Sequence, residues 1–524
     1  MSCNAQTSIF SPVTLPCSKI VPNRLVKVAM YEHLAALWGG PPNSYHFSLY
    51  SQWARGGWGM VLTGNFQVSG EHLTLGRDVV IPQQITDASL KPFIQLADAM
   101  HGSERSLAIM QLSHAGRQSA NFIGGRWPFA PPRAPSPVRV GSSSSAGFFV
   151  DVFHWLCFQT PDPLTPAEID DVVEAFVRGA HVAAQSGFDG VELHAAHGYL
   201  LAQFLSPKYS AENGLYIVQR ILSRIREEAP PQFIVGIKLN AGDYATSGSE
   251  DCALEHVRKL VASRLVDFIE ISGGDYENPE FTSTSTSPRQ ALFTRFSREA
   301  LLAVASTVAN PPLILLTGGF SSPAQLNTAL DSKHADLLGI GRFSIICPDL
   351  PLTLRQNAHP PNSYFSSRPS IESADPMESN SAFAWLWKQI KQIKLIGAGT
   401  GNAWYKLALR ELAERHTSVT VPKSMGVLRA VGGKYSNGAF GSDMAPFVRA
   451  LACLAIPAVT NVYGATIGNK CRSAHCQQGN ILEDPARVIG PLLRGRKGNR
   501  FRLNVINQPS DSSMLNTASI YIII

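Results

Sequence analysis

The chain has 524 residues, 44% of them hydrophobic and 16% charged, an ordinary globular balance with material for a large core. Its formal net charge of +6 is unevenly spread: 12 Lys/Arg against 4 Asp/Glu lie beyond Arg415, so the first 415 residues carry −2. A nearly neutral body argues against a nucleic-acid binder, whose basic groups gather on the folded face, and no run reaches the ~18–20 apolar residues of a membrane span.

The opening residues, MSCNAQTSIF, have neither a basic start nor an apolar stretch, so no signal peptide and a cytoplasmic location are expected. The eight cysteines are scattered, which fits free thiols in a reducing compartment. From Arg24 to Arg342, short β-type runs alternate with amphipathic segments. The strand candidates are RLVKVAM (24–30), GMVLTGNF (59–66), LAIMQLSH (107–114), GVELHAA (190–196), FIVGIKLN (233–240), DFIEISGG (267–274), PLILLTGG (312–319) and ADLLGIGR (335–342). Between the third and fourth strands, 116–164 reads as a Pro/Ser/Arg-rich loop excursion carrying an apolar patch, FFVDVFHWLCF. The next segment places Ile169, Val172, Val173, Phe176, Ala180 and Ala183 on one helical face, with Thr165-Pro166 as its start signal.

Eight β-then-α units close most economically into a (β/α)8 barrel. A doubly wound sheet is the competitor, but no G-x-G-x-x-G follows the first strand. After the eighth strand, 358–380 is polar, and helix-like sequence to residue 415 is expected to pack on the barrel. Residues 416–524 show weak periodicity and give no core. Their Cys471, His475 and Cys476 cluster lacks a second ligand pair, so no metal site is expected. The expected division is a barrel over 1–357, a C-terminal extension over 358–415 and a tail over 416–524.

In a barrel, reactive groups collect at the C-terminal strand ends. The last two ends, LLTGGF and LLGIGR, place Gly318, Gly319, Gly341 and Arg342 together. Glycines admit an anion close to backbone N–H groups, and an arginine adds a bidentate fork, so a phosphate site is expected there. The fourth strand ends in His194, His197 and Tyr199. Spacing leaves three readings of the imidazoles: structural caps of the turn, metal ligands with Glu192, or a pair of N–H donors aimed at a substrate oxygen. A phenol beside them suits the third, because it keeps its proton at neutral pH and can deliver it to carbon.

These residues stand in stretches that resemble the old yellow enzyme family of FMN-dependent NAD(P)H oxidoreductases, particularly its fungal members. The stretches are PNRLVKVAMYEHLA (22–35), GGWGMVLTGNFQVS (56–69), MQLSHAGRQS (110–119), APSPVRV (134–140), GFDGVELHAAHGYLLAQFLSPK (187–208), VGIKLN (235–240), EISGGDYENP (270–279), LLTGGF (315–320), LLGIGRFSIICPDLP (337–351) and IKLIGAGTGNAWY (393–405). The resemblance implies that Ala29, Met30, Tyr31, Gly64 and Asn65 contact the flavin ring and that Gln111 bonds its pyrimidine edge. It places Lys238 beside the ring's N1 and C2 carbonyl, where its charge stabilises the reduced form. It gives the phosphate to Gly318, Gly319, Gly341 and Arg342. The same resemblance gives His194 and His197 the substrate's carbonyl or nitro oxygen and makes Tyr199 the proton donor. The implied reaction is ping-pong reduction of the activated C=C bond of α,β-unsaturated carbonyl compounds, in specialised metabolism. A general NAD(P)H oxidase or quinone-type reductase, and a flavin-binding protein without turnover, are the alternatives. The expected partners are an enone-type small molecule and a nicotinamide cofactor, with a homodimer compatible with both.

The match departs at SPKYSAENG (206–214). The family carries a longer loop of the form N-x-R-T-D-x-Y-G-G-S-x-E-N-R there, and Gly214 stands where an arginine is usual. Trimming a surface loop costs little entropy, while losing its anchoring contacts costs more, and a chain that still folds is expected. The tail after Arg415 has no counterpart in the family pattern.

Overall fold

A computed structural model describes residues 8–102, 106–141, 148–210, 214–240, 250–272, 288–305, 308, 310–318, 320, 322–356, 405, 408–414, 500–506 and 517–523. Contacts divide the chain into Met1–Ser442 and Asp443–Ile524. In the first unit all eight expected strands are present: β1 (Leu25–Lys27), β2 (Met60–Gln67), β3 (Leu107–Ser113), β4 (Gly190–Ala195), β5 (Ile234–Asn240), β6 (Phe268–Ser272), β7 (Leu313–Thr317) and β8 (Leu337–Ile340). Each pairs in parallel with the next, and β8 pairs with β1 through Leu338–Leu25 and Ile340–Lys27, which closes the barrel. Parallel strands are covered on both faces, so their sequences are near-continuous apolar runs.

The helices α1 (Ser44–Ala54), α2 (Asp87–His101), α3 (Pro166–Gln185), α4 (Leu215–Glu228), α5 (Glu250–Ser263), α6 (Pro288–Ala305) and α7 (Pro323–Asp331) follow β1 to β7 in turn. The start of α3 is a capping box: Thr165 Oγ1 accepts from Glu168 N, and the Glu168 carboxylate accepts from Thr165 N, with Pro166 in the first turn. Its buried face includes Val172, Val173, Phe176, Ala180 and Ala183, and Ile169 is partly buried beside them. Burying each of the larger of these side chains is worth about 1.5–3 kcal/mol. The excursion after β3 is more ordered than a loop. A short strand, Arg133–Ala134, pairs with Asp162–Pro163, and Phe148–Cys157 is helical.

Alternation along the strands separates two cores. Outward residues meet the helices. Among them is Lys27, whose Nζ donates to the Leu62 carbonyl at 2.9 Å and lies 3.9 Å from the Trp53 ring centroid; burial lowers its pKa to about 7. Inward residues fill the barrel: Val26, Val28, Met60, Leu62, Leu107, Ile109, Ile234, Phe268, Leu315 and Leu337 form one apolar cluster. A hairpin of Val13–Thr14 and Ile20–Val21 brings Leu15 and Val21 into the same cluster. Gly236 is glycine because a β-carbon there would lie 2.1 Å from the Phe268 ring. Toward the C-terminal ends the inward positions become polar.

Further along the first unit, residues 408–414 are helical, and Ala408, Leu409, Leu412 and Ala413 join the main core. In the second unit, Arg500–Ile506 and Thr517–Ile523 form an antiparallel pair. Cys471, His475 and Cys476 lie outside the described residues, and among those described no cluster of His, Cys, Asp or Glu could hold a metal ion. No helix of the described residues is long and apolar enough to cross a membrane.

Candidate active site

β4 ends in the turn Ala196-His197-Gly198, which reverses the chain into a short helix, Leu200–Leu205. The reversal needs two left-handed residues: His197 has φ 57° and Gly198 φ 72°. A non-glycine residue held there costs on the order of 1–3 kcal/mol and persists only when its surroundings fix it. Those surroundings are visible. Gln118 Nε2 donates to the His197 carbonyl at 2.7 Å, Gln203 Nε2 donates to the Gly198 carbonyl at 2.7 Å, and Leu200 N donates to the His114 carbonyl at 2.9 Å.

The turn gathers three rings. The His194 and His197 centroids are 5.0 Å apart at 80°, and those of His194 and Tyr199 are 4.8 Å apart at 84°. Backbone Ala196 N donates to His194 Nδ1 at 3.3 Å, which assigns the ring proton to Nε2. His197 Nε2 lies 3.0 Å from Ser272 Oγ at the end of β6. Burial, then His197 and Lys238, hold the His194 pKa well below the usual imidazole range. Burial, then Lys238, lower that of His197 to about 3. Both rings are therefore neutral across the physiological range, each with one N–H to give.

The other strand ends surround this cluster. Strand register sets Lys238 beside His194 on one side and Glu270 on the other, with its Nζ 2.8 Å from Glu270 Oε1. Gln111 on β3 pairs with Glu192 on β4. Ala29, Met30 and Tyr31 leave the end of β1 half-buried. Tyr31 Oη donates to Asp78 Oδ2 at 3.1 Å, and its pKa feels Tyr199 among other groups, so the two phenols are near one another. Gly64 and Asn65 lie at a β-bulge of β2, where the register to β3 shifts between Leu62 and Asn65. Gly64 has no room for a side chain: a β-carbon would fall 1.9 Å from Glu32 Oε2 and 2.4 Å from the Met30 carbonyl. Its N–H donates to Glu32 Oε1 at 2.8 Å, and Tyr50 Oη donates to the same carboxylate. At β7 and β8, Gly318 has φ 101° and open space around it, while Gly341 lies beside Val28 and Met30. Arg342 is exposed, with its guanidinium 5.5 Å from the Tyr405 ring centroid. Gly319 lies outside the described residues.

The structure thus gathers His194, His197, Tyr199 and Lys238 into direct proximity and places Gln111, the β1 and β2 ends, and Gly318, Gly341 and Arg342 on the same rim. Sequence reading did not single out Gln118, Gln203, Ser272 or Glu270. Gln118, Ser272 and Glu270 act through contacts between distant segments, Gln203 bonds a carbonyl only five residues back, and only the polar end of β6 was legible as rim.

A flat, polar cofactor with a phosphate fits this rim. Among the described residues neither Gln111 Nε2, which lies toward the Glu192 carboxyl, nor Thr317 Oγ1 meets full hydrogen-bond geometry, and both are buried at the barrel mouth, where an amide and a hydroxyl can face a ligand. A β-carbon at Gly318 would meet nothing within 4 Å, so an anion has room at this strand end, on the rim that also carries Arg342.

Comparison with known proteins agrees with this geometry. The family model described as the NADH:flavin oxidoreductase / NADH oxidase family matches residues 8–360. The NADH-dependent flavin oxidoreductase iliE of Neonectria sp. (strain DH2) is 36% identical over 397 residues, covering 72% of this chain and 51% of that protein; the chain thus spans about half the length of this relative. The NADH-dependent flavin oxidoreductase iccE of Talaromyces variabilis is 32% identical over 425 residues, covering 78% of this chain and 99% of that protein. Among solved structures, morphinone reductase superposes with a TM-score of 0.54 at 21% identity, over 70% of this chain and 94% of its own, a likeness of fold.

Proposed function

The chain belongs to the NADH:flavin oxidoreductase / NADH oxidase family, and on that premise we propose that it is an FMN-dependent, NADH-consuming reductase of activated alkenes, acting on α,β-unsaturated carbonyl compounds of specialised metabolism. The observation that carries the reading is the cluster of two neutral imidazoles and a phenol at the end of β4, beside Lys238.

Gln111, Thr317, Lys238 and the ends of β1 and β2 would hold the ring of FMN, and Gly318, Gly341 and Arg342 its phosphate. When bound, FMN supplies the hydride that it has accepted from NADH. The chain's own residues do the rest. His194 Nε2–H and the N–H of His197 receive the carbonyl oxygen of the substrate and stabilise the negative charge that grows on it. Both are neutral, so each offers one fixed N–H dipole whose attraction strengthens as charge develops on the oxygen, a differential stabilisation of the transition state. Gln118 holds the His197 backbone through its carbonyl, and Ser272 meets the ring at Nε2. Tyr199 holds a phenolic proton and gives it to the α-carbon as the enolate collapses. The buried position of Tyr199, 7% exposed, keeps that proton from exchanging freely with water during the step.

The test is an absorption spectrum of the purified protein, followed by the two half-reactions measured separately without oxygen. The reading expects bound flavin, reduction by NADH, and re-oxidation accelerated by cyclohexenone. Tyr199→Phe should slow re-oxidation by the enone at least tenfold, while reduction by NADH stays within twofold. A protein that remains colourless in excess FMN defeats the proposal, and so does equal slowing of both half-reactions. Re-oxidation by oxygen alone, with no effect of the enone, would identify an oxidase instead.

A further inference from the structure

The polar layer on the barrel floor contains an imbalance of charge. Reading inward positions strand by strand gives Gln111 on β3, Glu192 and His194 on β4, Lys238 on β5, Glu270 and Ser272 on β6, and Thr317 on β7. Lys27 on β1 faces away, toward α1. Among the described inward strand positions this is two carboxyls against one cation, Lys238. Glu192 and Glu270 are both 0% exposed, and Lys238 is 2% exposed. Burying a second, unpaired carboxylate in such a layer costs several kcal/mol, which the group avoids by keeping its proton.

Geometry decides which carboxyl is protonated. Lys238 Nζ lies 2.8 Å from Glu270 Oε1, an ion pair closed on both sides to solvent. Glu192 has no ion-pair partner among the described residues; it faces Glu270 and Gln111 instead. The oxygens of both carboxyls lie buried without full hydrogen-bond geometry, so the 2.8 Å ion pair alone distinguishes Glu270 from Glu192. We propose that Glu192 is a neutral carboxylic acid beneath the cofactor and acts as a charge regulator of the site. As the acid it leaves the Lys238–Glu270 pair balanced; as the carboxylate it turns the floor negative and opposes negative charge on whatever lies above. The direction of its titration agrees: burial first, then Glu270, raise the Glu192 pKa well above the carboxylate range, against the pull of Lys238 and Gln111. The neighbouring imidazoles, His194 and His197, are neutral and add no charge to the balance.

The effect on the cofactor rests on the FMN reading above; the protonation itself does not. Glu192 is here a positioning and charge-setting residue, moving one proton between its carboxyl and solvent and no electrons. When negative charge arrives over the floor, Glu192 holds its proton more tightly, so over the pH interval in which it ionises, reduction of the bound cofactor is accompanied by one extra proton taken from solvent.

Infrared spectroscopy of the full chain reads the protonation directly. The wild type at neutral pH should show the C=O stretch of a buried protonated carboxyl. Glu192→Gln should lose it while keeping fold and flavin. Glu270→Gln should lose it for a different reason, because a single carboxyl beside Lys238 ionises and pairs with it. Potentiometric titration of the bound flavin across pH should then give one proton more per two electrons in the wild type than in Glu192→Gln, over the interval where the band disappears. Absence of the band in the wild type, or its survival in Glu192→Gln, overturns the assignment; equal proton uptake in the two proteins overturns the regulatory role. A band that behaves as described in a protein that binds no flavin upholds the neutral Glu192 and refutes the FMN reading alone.

Discussion

Replacing His46 with glutamine should make the protein less sensitive to acid by an amount that can be worked out in advance. His46 is the third residue of α1 and 1% exposed. Its Nδ1 accepts from Asn43 N at 3.2 Å, closing a capping box in which Asn43 Oδ1 accepts from Tyr45 N. Burial lowers its pKa to about 3, against about 6.5 in the unfolded chain. A group whose folded pKa is depressed contributes stability that is present above the unfolded pKa and lost as pH falls toward the folded one. Between pH 7.5 and 5.5 the unfolded state takes up about 0.8 of a proton at this site and the folded state almost none, which removes about 1.4 kcal/mol of stability. Glutamine at the same position still closes the capping box and cannot titrate. The other buried histidines, His72, His114, His194 and His197, titrate the same way, and protonated Glu192 titrates the opposite way, but all are present in both proteins and cancel in the comparison. Lys27, with its pKa of about 7, takes up a proton in the folded state over the same interval, but does so in both proteins and likewise cancels. Urea unfolding of both proteins at the two pH values should therefore show the wild type losing about 1.4 kcal/mol more than His46→Gln. Equal losses would mean that His46 is not held neutral by its surroundings, and would undermine the same inference for the imidazoles of the active site.

His194→Ala removes one of the two proposed donors and the ring on which both His197 and Tyr199 pack; affinity for a simple phenol, whose oxygen can accept from the same two N–H groups, followed by the flavin spectrum, should fall roughly tenfold, and unchanged affinity would reject the donor role. Gly64→Ala drives a β-carbon into Glu32 and the Met30 carbonyl; it should cost about 1–3 kcal/mol or more, read as a lower thermal midpoint together with a reduced flavin-to-protein ratio. Arg342→Ala should weaken FMN binding by about tenfold or more through the loss of a charge-assisted contact to phosphate, with little change in riboflavin affinity; equal weakening of the two ligands would place the arginine away from the phosphate.

Much of this architecture was legible before any coordinates. A parallel strand buried on both faces leaves a continuous hydrophobic signature, so seven of the eight strands lie within the apolar runs read from the sequence, and β2 runs one residue past its own, to Gln67. α3 announced itself through Thr165, Pro166 and Glu168, whose capping interactions are entirely local. The helix Phe148–Cys157 did not. Its sequence, FFVDVFHWLC, is apolar nearly all round, so period 3.6 gives no contrast, and it reads as a patch instead. The shortened loop before α4 was visible as a departure, but its consequence was not. A β-carbon at Gly214 would lie 1.8 Å from the Phe204 carbonyl, so the trimmed connection presses its backbone onto the preceding helix, where the arginine usual in the family has no space.

The same distinction explains which parts of the site could be read. His194, His197 and Tyr199 lie within six residues of one another, and one turn brings them together. The Lys238–Glu270 pair depends instead on the register between β5 and β6, a property of barrel closure that no short segment encodes. Once closure fixes that register, Lys238 is paired with Glu270, Glu192 has no ion-pair partner among the described residues, and its proposed protonation rests on the balance of charge in a buried layer. The chemistry that one strand end reveals is therefore the His194–His197–Tyr199 half of the candidate site. The half that sets the electrostatic level beneath it appears only when neighbouring strands are aligned.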